Sequence, residues 1–185
     1  MAEHRSMQRA ALLDAARTLL SEGGTEALTF PALAERTGLA RSSVYEYFRS
    51  RAAVVEELCA VDFPLWTAEV EAAMAAADGA QAKVEAYVRG QLALVGDRRH
   101  RAVVAISASE LDAGAREKIR AAHGALVAMI GEALADLGHT QPRLTAMLLQ
   151  GVVDAAVRRI ELGAAEEPEA ITDAAVAMAL HGVGS

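Results

Sequence analysis

The chain has 185 residues, which is enough for one hydrophobic core or for a small domain joined to a larger one. Apolar residues make up 53% and charged residues 23%, and this composition excludes a disordered or tail-like chain. The formal net charge of −7 argues against a general nucleic-acid binder. The single cysteine, Cys59, excludes an internal disulfide framework and a cysteine zinc site.

Charged and aromatic side chains are unevenly distributed along the chain. Residues 1–51 hold seven arginines against six acidic residues, a balance of +1, whereas residues 52–185 have a balance of −8. Four of the seven aromatic residues also lie in the first segment. This asymmetry predicts a small module that approaches a polyanion and an acidic body that avoids one.

The first forty residues show the apolar spacing of two helices. Residues 7–22 carry apolar side chains at helical intervals, and a Gly-Gly pair ends this helix. Thr29 can cap a second helix, because its hydroxyl can accept a hydrogen bond from the amide of Ala32. Gly38 ends this second helix after two turns and permits the positive φ of a sharp turn.

A third short helix, at about residues 41–48, is expected to bury Val44 and Phe48, which lie one helical turn apart. Two short helices separated by a glycine turn are typical of a helix-turn-helix. Any helical bundle can contain such a pair, so the spacing alone also allows a purely structural interpretation.

The rest of the chain is predicted to be helical, with glycine, aspartate and proline at the breaks. No alternation typical of strands is visible, so the predicted fold class is all-α. No apolar run approaches the roughly 18 residues that a membrane span requires, and we expect a cytoplasmic protein without a membrane partner. The predicted helices cover residues 51–77, 80–95, 100–111, 113–137, 142–162 and 168–182.

Residues from about 9 to 58 carry a series of motifs at fixed spacing. They are Thr29-x-x-x-Leu33-Ala34, then Gly38-Leu39, then Val44-Tyr45-x-Tyr47-Phe48 and a basic residue three positions later, Arg51. This series resembles the N-terminal domain of the TetR (tetracycline-repressor) family of transcriptional regulators. The chain departs from the family pattern at Ala40, where members usually have serine, and at Arg51, where they commonly have lysine.

The resemblance implies an N-terminal three-helix helix-turn-helix DNA-binding domain, residues 1–51, joined to a helical ligand-binding and dimerisation domain, residues 52–185. It implies a homodimeric repressor that binds a palindromic double-stranded DNA operator and is released by a small molecule of unknown identity. The alternative is a helical ligand-binding or scaffold protein whose helix-turn-helix no longer binds DNA. An enzyme is disfavoured, and no catalytic residue, metal or cofactor is expected.

Seven side chains are candidates for DNA contact by this resemblance. Arginine can pair with guanine O6 and N7, and serine can donate to or accept from either type of base pair. Two tyrosines that lie two residues apart cannot share one narrow helix face, so at least one is expected to be exposed. The structural alternatives are a solvated helix start, a helix cap and partial burial of a tyrosine. The candidates are Thr29, Arg41, Ser42, Ser43, Tyr45, Tyr47 and Arg51.

The resemblance also implies a ligand pocket and a dimer interface in the helical body. Adaptable apolar side chains suit a hydrophobic ligand, although each could equally be ordinary core. The pocket candidates are Trp66, Met74, Tyr87, Glu110, His123, Met129 and Met147. The last two helices have a wide apolar arc that predicts a four-helix interface across a two-fold axis, with an intrachain core as the alternative. The interface candidates are Leu144, Leu148, Gly151, Val152, Ala155, Ile171, Ala175 and Met178.

Overall fold

The computed structural model describes residues 2–163 and 165–182, with the side chains of residues 2, 116 and 118–123 outside the described set. Every regular element in this part of the chain is helical, which confirms the predicted fold class. The helices are α1 (Ala2–Gly23), α2 (Phe30–Thr37), α3 (Arg41–Tyr47), α4 (Arg51–Ala76), α5 (Ala80–Gly96), α6 (Arg98–Glu110), α7 (Ala113–Asp136), α8 (Pro142–Glu161) and α9 (Pro168–His181), with a short 3-10 turn at Thr25–Ala27 between α1 and α2.

The helix ends follow the residues that cap them. Thr29 caps α2 as predicted, since its hydroxyl accepts a hydrogen bond from the amide of Ala32 at 3.3 Å. Gly38 ends α2 with a φ of 69°, in the left-handed region that glycine adopts without strain. Helix α6 begins two residues before its predicted start, because the carboxylate of Asp97 caps it through the amide of Arg99 at 2.7 Å.

The helices form two compact units. The N-terminal unit consists of Met1–Phe63 and Asp97–Ile119, and the C-terminal unit consists of Pro64–Gly96 and Arg120–Ser185. Helices α4 and α7 contribute residues to both units, and α6 lies within the segment Asp97–Ile119 of the N-terminal unit. The functional boundary after residue 51 stays a prediction. Among the described residues, no helix has the length and apolar character needed to cross a membrane.

The N-terminal unit has a core of aliphatic and phenylalanine side chains. Helix α1 packs against α2 and α6, and α2 packs against α3. The predicted inward positions of α2 and α3 are confirmed, since Leu33, Val44 and Phe48 are buried. These three side chains and the following ones fill the core: Leu12, Ala16, Leu20, Leu28, Val54, Val55 and Leu58.

A buried ion pair joins α1 to α4 inside this unit. Arg17 Nε donates to the carboxylate of Asp62 at 2.9 Å and 3.1 Å, and its Nη2 donates to the same carboxylate at 2.5 Å. Asp62 is only 4% exposed, so the guanidinium replaces the water that its charge would otherwise bind. Burial, and after it the charges of Asp62 and Glu56, raises the pKa of the neighbouring Cys59 thiol to about 12.

The C-terminal unit has a separate core. Helix α5 packs against α8 and α9, and α8 packs against α9. Helix α8 turns one face inward, at Ala146, Leu149, Val153 and Ala156, a spacing that repeats every three or four residues. The opposite face of α8 is exposed, and this division decides where several of the predicted site residues lie.

Asp62→Ala should destabilise the protein, because it leaves the guanidinium of Arg17 partly buried with only Asp14 as an anionic partner. Breaking a buried ion pair usually costs about 3–5 kcal/mol of unfolding free energy, and we expect a value near 3 kcal/mol since Asp14 remains. Urea unfolding measures the change. Asp14→Ala is the matched control on the same arginine, and its 76% exposed carboxylate should contribute less than about 1 kcal/mol. Equal losses of unfolding free energy in the two variants would contradict the conclusion that Asp62 is the main partner of Arg17.

Candidate nucleic-acid interface

Helix α3 is short, and its two turns separate a buried face from an exposed one. Val44 and Phe48 fill the core, whereas Arg41 and Tyr45, also one turn apart, lie in solvent. The ring of Tyr45 packs against Phe30 with a centroid distance of 4.6 Å and remains 50% exposed. The structure thereby presents one cation and one supported aromatic ring on the same exposed helix face.

The beginning of α3 shows the consequence of Ala40. This residue occupies the N-cap position in extended backbone, and no side chain accepts a hydrogen bond there. Ser42 is exposed and Ser43 is half-buried. The first amides of α3 therefore lack the side-chain cap that serine would give at this position, a cap that typically contributes about 1 kcal/mol.

Tyr47 packs against α1 and connects α3 to it. Its hydroxyl donates a hydrogen bond to the side-chain oxygen of Gln8, and the guanidinium of Arg5 lies 5.7 Å from its ring centre. Arg5 also donates to the backbone carbonyl of Glu46 at 3.4 Å. Of the two predicted tyrosines, Tyr45 is thus exposed, and Tyr47 is half-buried against the first helix.

Thr29 and Arg51 lie at the starts of α2 and α4. Thr29 is exposed and serves as the cap of α2. Arg51 is half-buried, with its Nη2 donating to the backbone carbonyl of Thr25 at 2.6 Å and its Nε 3.5 Å from a carboxylate oxygen of Glu110. The seven predicted DNA contacts therefore separate into exposed side chains and side chains engaged within the unit.

Arg49 is an exposed cation that the sequence analysis did not select. It lies between α3 and α4, beside the exposed end of α3. Arg9 and Arg36, by contrast, pair with Glu57 and Glu22. The position of Arg49 directly after Phe48, in a loop between two helices, was the sequence signal that could have selected it. Within the described residues, no ion pair engages Arg41 or Arg49.

The predicted pocket residues do not form one group. Met74 and Tyr87 are buried in the C-terminal core, Met129 packs against that core, and Trp66 is half-buried in the same unit. Glu110 belongs to the N-terminal unit, where it pairs with Arg51. Met147 is 66% exposed, because it lies on the outward face of α8. The side chain of His123 lies outside the described residues.

A polar network extends from the buried Tyr87 to the surface of the C-terminal unit. The hydroxyl of Tyr87 donates to the side-chain oxygen of Gln150, and the amide groups of Gln150 and Gln91 exchange hydrogen bonds at 3.2 Å and 3.3 Å. Gln150 also donates to the carboxylate of Asp154 at 2.8 Å. Burial raises the pKa of Tyr87 to about 12, and this phenol stays neutral at physiological pH. No group of three or more metal-binding side chains occurs in the part of the chain that the structure describes.

Most of the predicted interface residues lie along one groove between α8 and α9. The groove has a volume of about 390 Å³. It is lined by seven of the predicted residues, Leu148, Gly151, Val152, Ala155, Ile171, Ala175 and Met178, together with Ala156 and Ala174. Two of the lining side chains, Leu148 and Met178, are 65% and 48% exposed, and Leu144 and Met147, also on α8, are 49% and 66% exposed. Ala175 is buried at the base of the helix pair.

A family model of the bacterial regulatory proteins of the tetR family matches residues 12–58. The N-terminal domain of this chain belongs to the TetR family. The match covers the second half of α1, all of α2 and α3 and the beginning of α4, which are the elements that build and support the exposed face of Arg41 and Tyr45. No curated relative matches the chain in sequence.

Solved structures share the fold of this chain over nearly its whole length. A putative transcriptional regulator from Saccharomonospora viridis, solved with choline, has a TM-score of 0.84 and 16% identity over 95% of this chain and 97% of its own. FadR from Bacillus subtilis, solved with stearoyl-CoA, has a TM-score of 0.75 and 17% identity over 94% and 98%. AibR, solved with isovaleryl coenzyme A and operator DNA, has a TM-score of 0.71 and 18% identity over 92% and 97%. At these identities the likeness shows the fold alone.

Proposed function

We propose that this protein is a ligand-responsive transcriptional repressor that binds a palindromic operator as a homodimer. The observation that carries the proposal is the exposed face of α3, with Arg41 and Tyr45, within a domain that the TetR family model matches. An arginine and an aromatic ring on the recognition helix of a helix-turn-helix suit contact with base edges in the major groove.

Each exposed residue has a chemical role in this proposal. Arg41 pairs with guanine, and Ser42 contacts a neighbouring base edge. Tyr45 contacts a thymine methyl group or the sugar-phosphate backbone. Thr29 and Arg49 bind phosphates on either side of the groove, which fixes the register of α3 without reading sequence. Tyr47 holds α3 against α1, and Ser43 lies at the edge of the buried face.

Arg41→Ala should weaken binding to an operator that presents guanine to this side chain by about 1–3 kcal/mol and should relax the base preference at that position. Fluorescence anisotropy with DNA from upstream of the protein's own gene measures this at several salt concentrations. Arg36→Ala is the control, because Arg36 lies on α2 and pairs with Glu22. Wild-type affinity should fall steeply with salt. No wild-type binding even at low salt would favour the scaffold alternative instead.

We also infer that α8 and α9 form the homodimer interface. The groove and the exposed apolar side chains beside it make a continuous apolar surface, which is the kind of patch that marks an association site. Gly151 and Ala155 let another helix approach closely. Binding of such a dimer to a palindromic operator requires two α3 helices in successive major grooves, about 34–36 Å apart.

Leu148→Glu should convert the dimer to a monomer, because it places a charge in the centre of the proposed interface. Analytical ultracentrifugation gives the association state, and operator affinity should fall together with dimerisation. Leu65→Glu serves as the matched control, since Leu65 is 58% exposed on α4, outside the groove. A Leu148→Glu protein that sediments like the wild type would remove α8 from the interface.

The effector is proposed to bind in the C-terminal unit, next to the network of Tyr87, Gln91 and Gln150. Polar side chains inside an apolar core are suited to orient a mostly apolar ligand, and Met74 and Met129 belong to the same core. Structural neighbours hold a quaternary ammonium compound or acyl-coenzyme A, which gives two chemical classes to test.

Choline, stearoyl-CoA and isovaleryl-CoA should be titrated separately against the wild-type protein. A ligand that binds the folded state raises the melting temperature by mass action, and an inducing ligand also lowers operator affinity. We expect one of the two classes to produce both effects and Gln150→Leu to abolish them. Unchanged melting and operator binding with all three compounds would exclude an effector of either class.

A further inference from the structure

Arg51 opens α4 at the position where the TetR-family resemblance implies a contact to the DNA backbone, yet its guanidinium is engaged inside the N-terminal unit. Its Nη2 donates to the backbone carbonyl of Thr25 at 2.6 Å. The side chain is only 30% exposed, whereas Arg49, two residues earlier, is exposed. The two arginines beside α3 therefore have different environments.

Glu110 supplies the counter-charge for Arg51. One of its carboxylate oxygens lies 3.5 Å from Nε, an atom that is buried and makes no hydrogen bond. The carboxylate is itself only 27% exposed. A guanidinium that is partly removed from water needs an anion close by, and Glu110 is the anion that the fold provides.

The contacts of Arg51 with Thr25 and Glu110 connect three segments around α3. Thr25 begins the 3-10 turn that leads into α2, Arg51 is the first residue of α4, and Glu110 is the last residue of α6. Helix α6 packs against α1 and against the 3-10 turn. The chain enters α3 from α2 and leaves it into α4, so the pair fixes the segments on both sides of α3 relative to a common support.

We propose that Arg51 and Glu110 are positioning residues for DNA recognition, and that Arg51 acts through its contacts with Thr25 and Glu110 and does not bind phosphate. This inference rests on the proposed DNA-binding function. Glu110, which the sequence analysis placed in the ligand pocket, thus has a role in the DNA-binding domain instead. Arg49 is then the arginine that binds phosphate at this end of α3.

Arg51→Lys is the deciding variant. Lysine keeps the positive charge that a phosphate contact requires. Its single ammonium group, however, cannot replace the planar guanidinium, which contacts Thr25 and Glu110 through two different nitrogen atoms. The positioning role predicts about tenfold weaker operator binding for Arg51→Lys and a similar loss for Glu110→Gln. A loss of this size is within the range of interaction energies usually measured between contacting residues. The Arg51→Lys/Glu110→Gln protein should lose no more than either single variant, because both substitutions break the same contact.

The dependence of affinity on salt separates the two roles. Each lost phosphate contact reduces the slope of log affinity against log salt by about 0.9. Arg49→Gln should show this reduction, whereas Arg51→Gln and Glu110→Gln should keep the wild-type slope. Circular dichroism melting checks that each variant is folded, and if Arg51→Gln is not, Arg51→Lys gives the result alone.

Several outcomes would overturn the inference. Wild-type affinity in Arg51→Lys or tighter binding by Glu110→Gln would contradict the positioning role, and a slope reduced by about 0.9 in Arg51→Gln would show that Arg51 contacts phosphate directly. These results leave the proposed DNA-binding function intact, since the wild-type protein still binds. A wild-type protein without salt-dependent binding would overturn the proposed function and this inference together.

Discussion

The whole of the proposed function depends on the small size of α3. A helix of seven residues has two turns and can bury only one narrow face. Val44 and Phe48 occupy that face, so the side chains one turn apart on the other side must lie in solvent. The core contact that holds the helix in place is therefore the same constraint that exposes Arg41 and Tyr45.

The distribution of arginine partners matters more than the balance of charge. The N-terminal segment has almost no net charge, yet its arginines fall into two groups. One group is engaged within the unit: Arg9, Arg17, Arg36 and Arg51 pair with carboxylates, and Arg5 contacts α3 through Glu46 and Tyr47. Arg41 and Arg49 are exposed beside α3, where a polyanion can reach them. A nearly neutral segment can thus present a locally positive surface.

Much of the fold could be predicted because it depends on local signals. Glycine breaks, first-turn prolines and apolar spacing gave the helix ends to within about two residues, except that α1 begins at Ala2, five residues before its predicted start, and the buried positions of α3 followed from helical periodicity. The site could be predicted less completely. Met147 and Glu110 were assigned to a pocket on residue type, but type does not show which face of a helix meets its own core or which unit a helix joins.

The sequence by itself predicted the helix-turn-helix and its similarity to the TetR family, since these depend on residues within about fifty positions of one another. Only the tertiary structure decided that α6 joins the N-terminal unit and brings Glu110 to Arg51, across nearly sixty residues of chain. The physical reason is that an ion pair needs a specific distance between two side chains. Packing of distant helices sets that distance, and no periodic pattern in either segment encodes it.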